Sequence, residues 1–251
     1  METSFDAFLD GRFTLEQPSK GPRASIDALL LAAIVPCKPG ASERVLDAGC
    51  GCAPIALCLA TRFANLQVTG IECQSDIVTL ARRNVTHNRL DGRVSIIEAD
   101  LVKPLGELAQ TGLEPQSFAH VVANPPFYRA DRSRSCINED KSAAHRLQGG
   151  ELEHWIRFLT AMAAPKASLN LIHRPDSLPE LLTLLKGRFG ALKIVPVYSD
   201  PQSPAIRILI QGIKGSRAPM SLLPGLVLGR EKGRYSKHVE AILREGKALV
   251  L

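Results

Sequence analysis

The sequence predicts an α/β fold: a mostly parallel sheet of seven strands with helices on both faces. Three observations carry this. Short apolar, β-rich runs alternate with helical segments through most of the chain. The 251 residues, 45% hydrophobic and 22% charged, can bury a sizeable core. The first run ends in a glycine-rich turn leading into a helix, the arrangement of an open sheet that takes its ligand at the strand carboxyl ends.

Each element has its own warrant. Arg44-Val-Leu-Asp-Ala48 is an apolar run stopped by glycines. Pro54–Phe63 reads as a helix, with Pro54 suited to a first turn that has no use for its N–H. Val68–Glu72 is the second strand, and Ser75–His87 an amphipathic helix with Ser75 as its N-cap. Val94–Glu98 and Phe118–Ala123 are the third and fourth strands. Leu152–Ala164 is helical, Ser168–Ile172 is the fifth strand, and Ser177–Lys186 is a helix with Asp176 or Ser177 near its cap. Leu192–Val197 and Ile206–Ile213 complete the seven, separated by the turn-rich Ser199–Pro204. These elements use nearly the whole length, so one domain over 1–251 is expected, with 1–40 as an N-terminal cap over the ligand and 214–251 as a basic extension.

The composition is too apolar for a disordered chain. The charge-free run Ala28–Cys37 is about half of what a membrane-spanning helix needs. The acidic start, with Glu2, Asp6 and Asp10, lacks the basic region of a secretory signal. A cytoplasmic protein with no membrane association is expected. The net charge of +6 permits a polyanionic partner without requiring one, and most of the excess lies in Gln211–Leu251. The six cysteines, Cys37, Cys50, Cys52, Cys58, Cys73 and Cys136, are scattered and read as free thiols. Cys50-x-Cys52 has no second Cys or His pair at zinc-ligand spacing, so it reads as small residues packed in a turn, and no metal is expected.

The residues just after each strand carry the chemistry. The first strand leads into Asp47-Ala-Gly49-Cys-Gly51-Cys-Ala-Pro54. The glycines allow a sharp turn and close approach of a ligand. A dinucleotide fingerprint would want a third glycine where Pro54 stands, and Asp47 would repel a pyrophosphate but welcome a cation. Glu72 ends the second strand, where a carboxylate can accept both hydroxyls of a ribose. The third strand ends in Glu98-Ala-Asp100, an acceptor for an exocyclic amino group. The three acids suit an adenosine carrying a cationic amino-acid tail, which is S-adenosylmethionine.

On these residues the chain resembles the Rossmann-like class I S-adenosylmethionine-dependent methyltransferases. The resemblance implies that Asp47, Gly49 and Gly51 hold the methionine moiety, Glu72 the ribose and Asp100 the adenine amino group, with Cys73, Leu101, Asn124 and Arg23 also at the cofactor.

The fourth strand runs into Asn124-Pro125-Pro126-Phe127, which resembles the motif of methyltransferases acting on amide or exocyclic amino nitrogens. An adenine N6 is a poor nucleophile because its lone pair is delocalised into the ring. Acceptors on its N–H groups, the Asn124 side-chain oxygen and the Pro125 carbonyl, would orient it toward the methyl group. The prolines stiffen the loop, and Phe127 offers a stacking face. The motif leaves adenine in RNA or DNA and a protein glutamine as acceptors.

The flanking sequence separates these. The stretch Gln17–Ala32, then Ala144-His145-Arg146 and His173-Arg174-Pro175-Asp176, is similar to bacterial tRNA(Val) N6-adenine methyltransferases, which modify the adenine beside the anticodon. Pro22 stands where that family usually has an aromatic, and Cys50-x-Cys52 replaces commoner small residues. Only 48 residues precede Gly49, too few for the helical domain of the glutamine methyltransferases. The resemblance implies a tRNA substrate, with Phe127, Arg129, Arg132, Arg134 and Arg146 against it. Arg230, Lys232, Arg234 and Lys237 around Tyr235 form a second basic segment that could meet RNA or solvent, and Arg23 with Asp27 could equally form a structural ion pair.

Overall fold

A computed structural model describes residues 2–20, 23–126, 151–229 and 235–251. In chain order the strands are β1 (Thr3–Phe8), β2 (Phe13–Pro18), β3 (Arg44–Ala48), β4 (Gln67–Glu72), β5 (Val94–Glu98), β6 (Phe118–Ala123), β7 (Ala163–His173), β8 (Phe189–Tyr198), β9 (Ala205–Lys214), β10 (Ser221–Leu222) and β11 (Leu226–Val227). The helices are α1 (Ile26–Ile34), α2 (Pro54–Arg62), α3 (Ser75–His87), α4 (Leu105–Leu108), α5 (Glu151–Met162), α6 (Leu178–Leu185) and α7 (Lys237–Glu240).

The main sheet runs β10-β8-β9-β7-β6-β3-β4-β5, with β11 beside β8. Strands β3 to β7 are mutually parallel, and β9 enters antiparallel between β7 and β8. The seven expected strands are all present. The sheet has nine because β10 and β11, each of two residues, pair parallel to β8. They are too short to show any periodicity.

Parallel strands covered on both faces read as continuous apolar runs rather than alternating ones. Strand β3 is buried from Val45 to Ala48, and its side chains divide between two cores. Val45 packs with α1, α2 and α3 residues such as Leu30, Leu57 and Val78. Leu46 and Ala48 pack on the other face with Ile156 and Leu159 of α5 and Leu181 of α6. Asp47 is the one polar residue of that strand interior, and it is fully buried.

Helix α3 has the expected bounds, with a different cap. Gln74 is the N-cap without a side-chain bond, and the Ser75 hydroxyl donates to Glu98 Oε1 instead. The N-terminal segment forms a hairpin, β1 against β2. Helix α3 holds it through two asparagines one turn apart. Asn84 accepts from the Glu16 N–H at 2.7 Å and donates to the Glu16 carbonyl at 2.8 Å. Asn88 does the same with Thr14, at 2.9 and 2.7 Å. Arg83 pairs with the Glu16 carboxylate.

Cys37, Cys50, Cys52 and Cys58 are free thiols, while Cys73 is in a disulfide. Six free thiols were expected. Spacing along the chain does not show which sulfurs meet in space, and that proximity decides pairing. Burial pushes Cys37 and Cys52 up to about 12 and Cys58 to about 11. These thiols stay protonated at neutral pH. Cys50 is buried against Gly70, where an added Cβ would lie 2.8 Å from its sulfur, in keeping with packing rather than ligation.

Candidate active site

The chain continues from β3 to β4 on one side, while β6 joins β3 from the other. A parallel sheet opens a crevice at such a switch point, outside the carboxyl ends. The register places Asp47 beside Val122 and Ala48 beside Ala123. Gly49 and Asn124 therefore leave the sheet as neighbours.

The turn after β3 alternates through left-handed backbone, with φ of +66° at Gly49, +54° at Gly51 and +71° at Ala53. The Cys50 N–H donates to the Ile71 carbonyl at 2.8 Å, and the Ala53 N–H to the Cys50 carbonyl at 2.9 Å. Gly49 has a second reason to be glycine: a Cβ there would lie 2.3 Å from the Trp155 ring. Trp155, on α5, was not singled out from sequence, and a lone tryptophan about a hundred residues away carries no signal of this contact. At Gly51 a Cβ would meet nothing within 4 Å among the described residues.

Two buried polar groups at this end lack partners. Neither carboxylate oxygen of Asp47 makes a hydrogen bond among the described residues, and nor does the buried Asn124 Oδ1. Burial pushes the Asp47 carboxyl up to about 8. The nearby Ala56 N–H pulls it down without reaching hydrogen-bond geometry, and the Glu72 carboxylate raises it further. Leaving a buried acceptor unmatched costs about 1–3 kcal/mol. A cationic or N–H-bearing ligand would remove that cost, so the geometry fits a ligand with both kinds of group.

Glu72 is buried and held in place. Its Oε1 accepts from the Cys73 and Gln74 N–H groups at 2.8 and 3.0 Å, and its Oε2 from the Gly51 N–H at 3.1 Å. Asp100 is half-buried, and one oxygen accepts from the Val102 N–H at 3.0 Å. Leu101 is half-buried against the second core. Beyond β6, Pro125 is buried and Pro126 exposed.

Arg23 and Asp27 do not pair with each other. The Arg23 guanidinium meets Asp6 at 2.5 Å and the Pro18 carbonyl at 3.3 Å. Asp27 instead meets Arg207 on β9 at 2.8 Å. The hairpin supplied Asp6, and the hairpin was not legible in advance. Phe127, Arg129, Arg132, Arg134 and Arg146 lie outside the described residues, as do Arg230, Lys232 and Arg234. Of the C-terminal cations, Arg244 pairs with Glu240 and Asp10, Lys247 with Glu245, and Lys214 donates to the Thr160 and Ala163 carbonyls. No helix of the described residues is long and apolar enough to cross a membrane.

Comparison with known proteins agrees with this architecture. The sequence model of the family described as "Methyltransferase small domain" matches residues 23–160. A protein of Porphyromonas gingivalis named tRNA1(Val) (adenine(37)-N6)-methyltransferase is 29% identical over 207 residues, 81% of this chain and 79% of that protein. One of the same name from Musicola paradisiaca is 24% identical over 242 residues, 96% of this chain and 93% of its own length. Among solved structures, protein Atu636 of Agrobacterium tumefaciens, described as a predicted O-methyltransferase, superposes with a TM-score of 0.73 at 27% identity. The match covers 88% of this chain and 97% of that one.

Proposed function

The chain belongs to the methyltransferase small domain family and is an S-adenosylmethionine-dependent enzyme, and from that premise we propose that it methylates N6 of an adenine in tRNA, the base beside the anticodon of tRNA(Val). The observation that carries this reading is the buried Asn124 Oδ1, which has no partner among the described residues, set beside the Gly49 turn and followed by two prolines. The two relatives named for this reaction support it.

S-adenosylmethionine supplies a methyl group on a sulfonium centre. Asp47 takes the cationic amino-acid end, which returns its carboxyl to the charged form. Glu72, fixed by three backbone N–H groups, presents its carboxylate to the ribose already oriented. Asp100 keeps one oxygen for its own turn and offers the other to the adenine amino group. Gly51, where an added Cβ would meet none of the described residues, would let the cofactor approach the backbone closely.

On the acceptor side Asn124 Oδ1 takes one N–H of the target amine, and the Pro125 carbonyl takes the other. Fixing both hydrogens aims the nitrogen lone pair along the line of transfer, so positioning supplies most of the rate. No strong base is needed, because the methylated amine loses its proton afterwards. The target base must leave its stack to reach this crevice. Phe127 gives it a stacking face, and Arg129, Arg132, Arg134 and Arg146 hold the neighbouring phosphates.

The test is to incubate the protein with methyl-labelled S-adenosylmethionine and, separately, tRNA, DNA and a release factor, then digest and identify the labelled product. Label in N6-methyladenosine of tRNA is the expected result. Label in glutamine, in DNA alone or on an oxygen overturns the reading. The oxygen outcome would follow the description attached to Atu636.

A further inference from the structure

At the amino end of the sheet, three donor side chains of different kinds converge. Cys37 follows α1, Glu43 precedes β3, and His120 lies on β6. One ligand-capable atom of each lies within 4.8 Å of the other two. His120 Nε2 sits 3.2 Å from Glu43 Oε2. Its other ring nitrogen, Nδ1, sits 2.7 Å from Ser168 Oγ. Ser168 Oγ in turn accepts from Asn170 Nδ2 at 2.9 Å, and Asn170 Oδ1 accepts from Gln211 Nε2 at 3.2 Å. One nitrogen of the ring is thus fixed by buried side chains, and the other faces Glu43 and Cys37.

We propose that Cys37, Glu43 and His120 form a zinc site whose fourth position is open to water. A cysteine that gives up its proton to the cation, an imidazole and a carboxylate together suit a borderline-soft divalent metal that accepts tetrahedral geometry. Metal-bound imidazoles need their second nitrogen held by an acceptor. Ser168 meets that need: with Asn170 donating to its oxygen, it keeps a lone pair for Nδ1–H while Nε2 faces the cation. Zinc bond lengths of about 2.0–2.3 Å place ligand atoms roughly 3–4 Å apart, so the trio must close by about 1 Å. Cys37 and Glu43 are both half-exposed on the connection between α1 and β3, and Glu43 closes the gap to Cys37, whose side chain packs partly against the first core.

The cation would fasten this connection to the sheet interior. His120 stands four residues before Asn124, about 13 Å along the strand, so the cation is out of reach of the transferred methyl group and its role is structural. Two ligands lie on one connection and the third is 77 residues further on in β6, so no motif announces them.

The test uses the full chain stripped of metal with a chelator, then titrated with zinc against a competing chromophoric chelator. Cobalt is the spectroscopic probe. One equivalent of zinc should bind, raising the melting temperature, and cobalt should give a sulfur-to-metal charge-transfer band. Cys37→Ser should abolish that band and weaken zinc by at least about a hundredfold, whereas Cys52→Ser should change neither. Ser168→Ala should cost about 10–100-fold in zinc affinity while keeping the band. Failure to bind one tight equivalent, or a Cys37→Ser protein that binds zinc like the parent, overturns the proposal. Serine differs from Cys37 only in the side-chain atom that would bind zinc, so an unchanged melting temperature of the zinc-free variant together with lost zinc affinity reads ligation rather than folding.

Discussion

At the amino end of the sheet, His120, Ser168, Asn170 and Gln211 pass hydrogen bonds from one to the next until the Ile34 carbonyl ends the series at 2.7 Å. At the carboxyl end, Asp47 and Asn124 keep buried oxygens that meet no donor among the described residues. Strand β6 joins the two ends, carrying His120 and leading into Asn124. What differs is what each end is for. A buried polar group without a partner costs stability, and a fold keeps one where a ligand will complete it. The satisfied end supports the structure, and the unsatisfied end is where the molecule expects company.

The largest expected effect separates the ends by chemistry. Asn124→Ala should slow methyl transfer by about a hundredfold or more, through lost positioning, while cofactor affinity stays nearly unchanged. Single-turnover kinetics and equilibrium dialysis read the two quantities, and an unchanged rate would remove Asn124 from the site. Next is Gly49→Ala, which forces a side chain toward Trp155 at a backbone angle that favours glycine. It should cost about 1–3 kcal/mol in a denaturant melt and weaken cofactor binding.

A matched pair sharpens the contrast. Asn170→Ala breaks the satisfied series and should cost about 1–3 kcal/mol. Asp47→Asn should leave the ligand-free protein at least as stable as the parent at pH 8, because it removes a buried carboxyl that resists ionising. Equal losses from both would erase the distinction.

A pH series probes the same carboxyl. Asp47 holds its proton up to about 8 in the folded chain, against an ordinary value of 3.8. Between those values the folded state binds more protons than the unfolded one, so Asp47 makes stability fall as pH rises through that window. The parent should lose stability with rising pH more steeply than Asp47→Asn, as thermal melts will show. Cofactor binding below pH 8 should release a proton in the parent and not in the variant, and calorimetry in buffers of different ionisation enthalpy reads this.

The smallest effect is expected in the C-terminal segment. Lys237→Glu should change tRNA affinity by less than about tenfold and flatten its salt dependence slightly. A larger loss would bring the C-terminal segment into the RNA-binding surface.

Much of the sheet was legible because buried parallel strands are short apolar runs with sharp ends. Val94–Glu98 and Phe118–Ala123 have the bounds their apolar pattern indicates. The acids at the ends of β3, β4 and β5 were legible for a related reason: a charge at the end of such a run stands out. Strand β2 was not, because Glu16 and Gln17 are buried yet polar: Gln17 is satisfied by Asp6 and the Ala24 N–H nearby, and Glu16 by Arg83 of distant α3. Helix α1 gave no amphipathic signal because every residue from Asp27 to Ile34 is buried. Trp155 against Gly49, and His120 against Glu43 and Cys37, are meetings made only by the fold.

The two asparagines of α3 have a consequence for how the molecule behaves in a crowd. Thr14 and Glu16 are alternate residues on the outer rim of β2, and a two-stranded ribbon offers such a rim to any passing strand. Asn84 and Asn88 occupy the N–H and carbonyl of both residues as a third strand would. A helix thus closes one edge of the ribbon with side-chain amides, and that edge is protected against strand addition by a second copy.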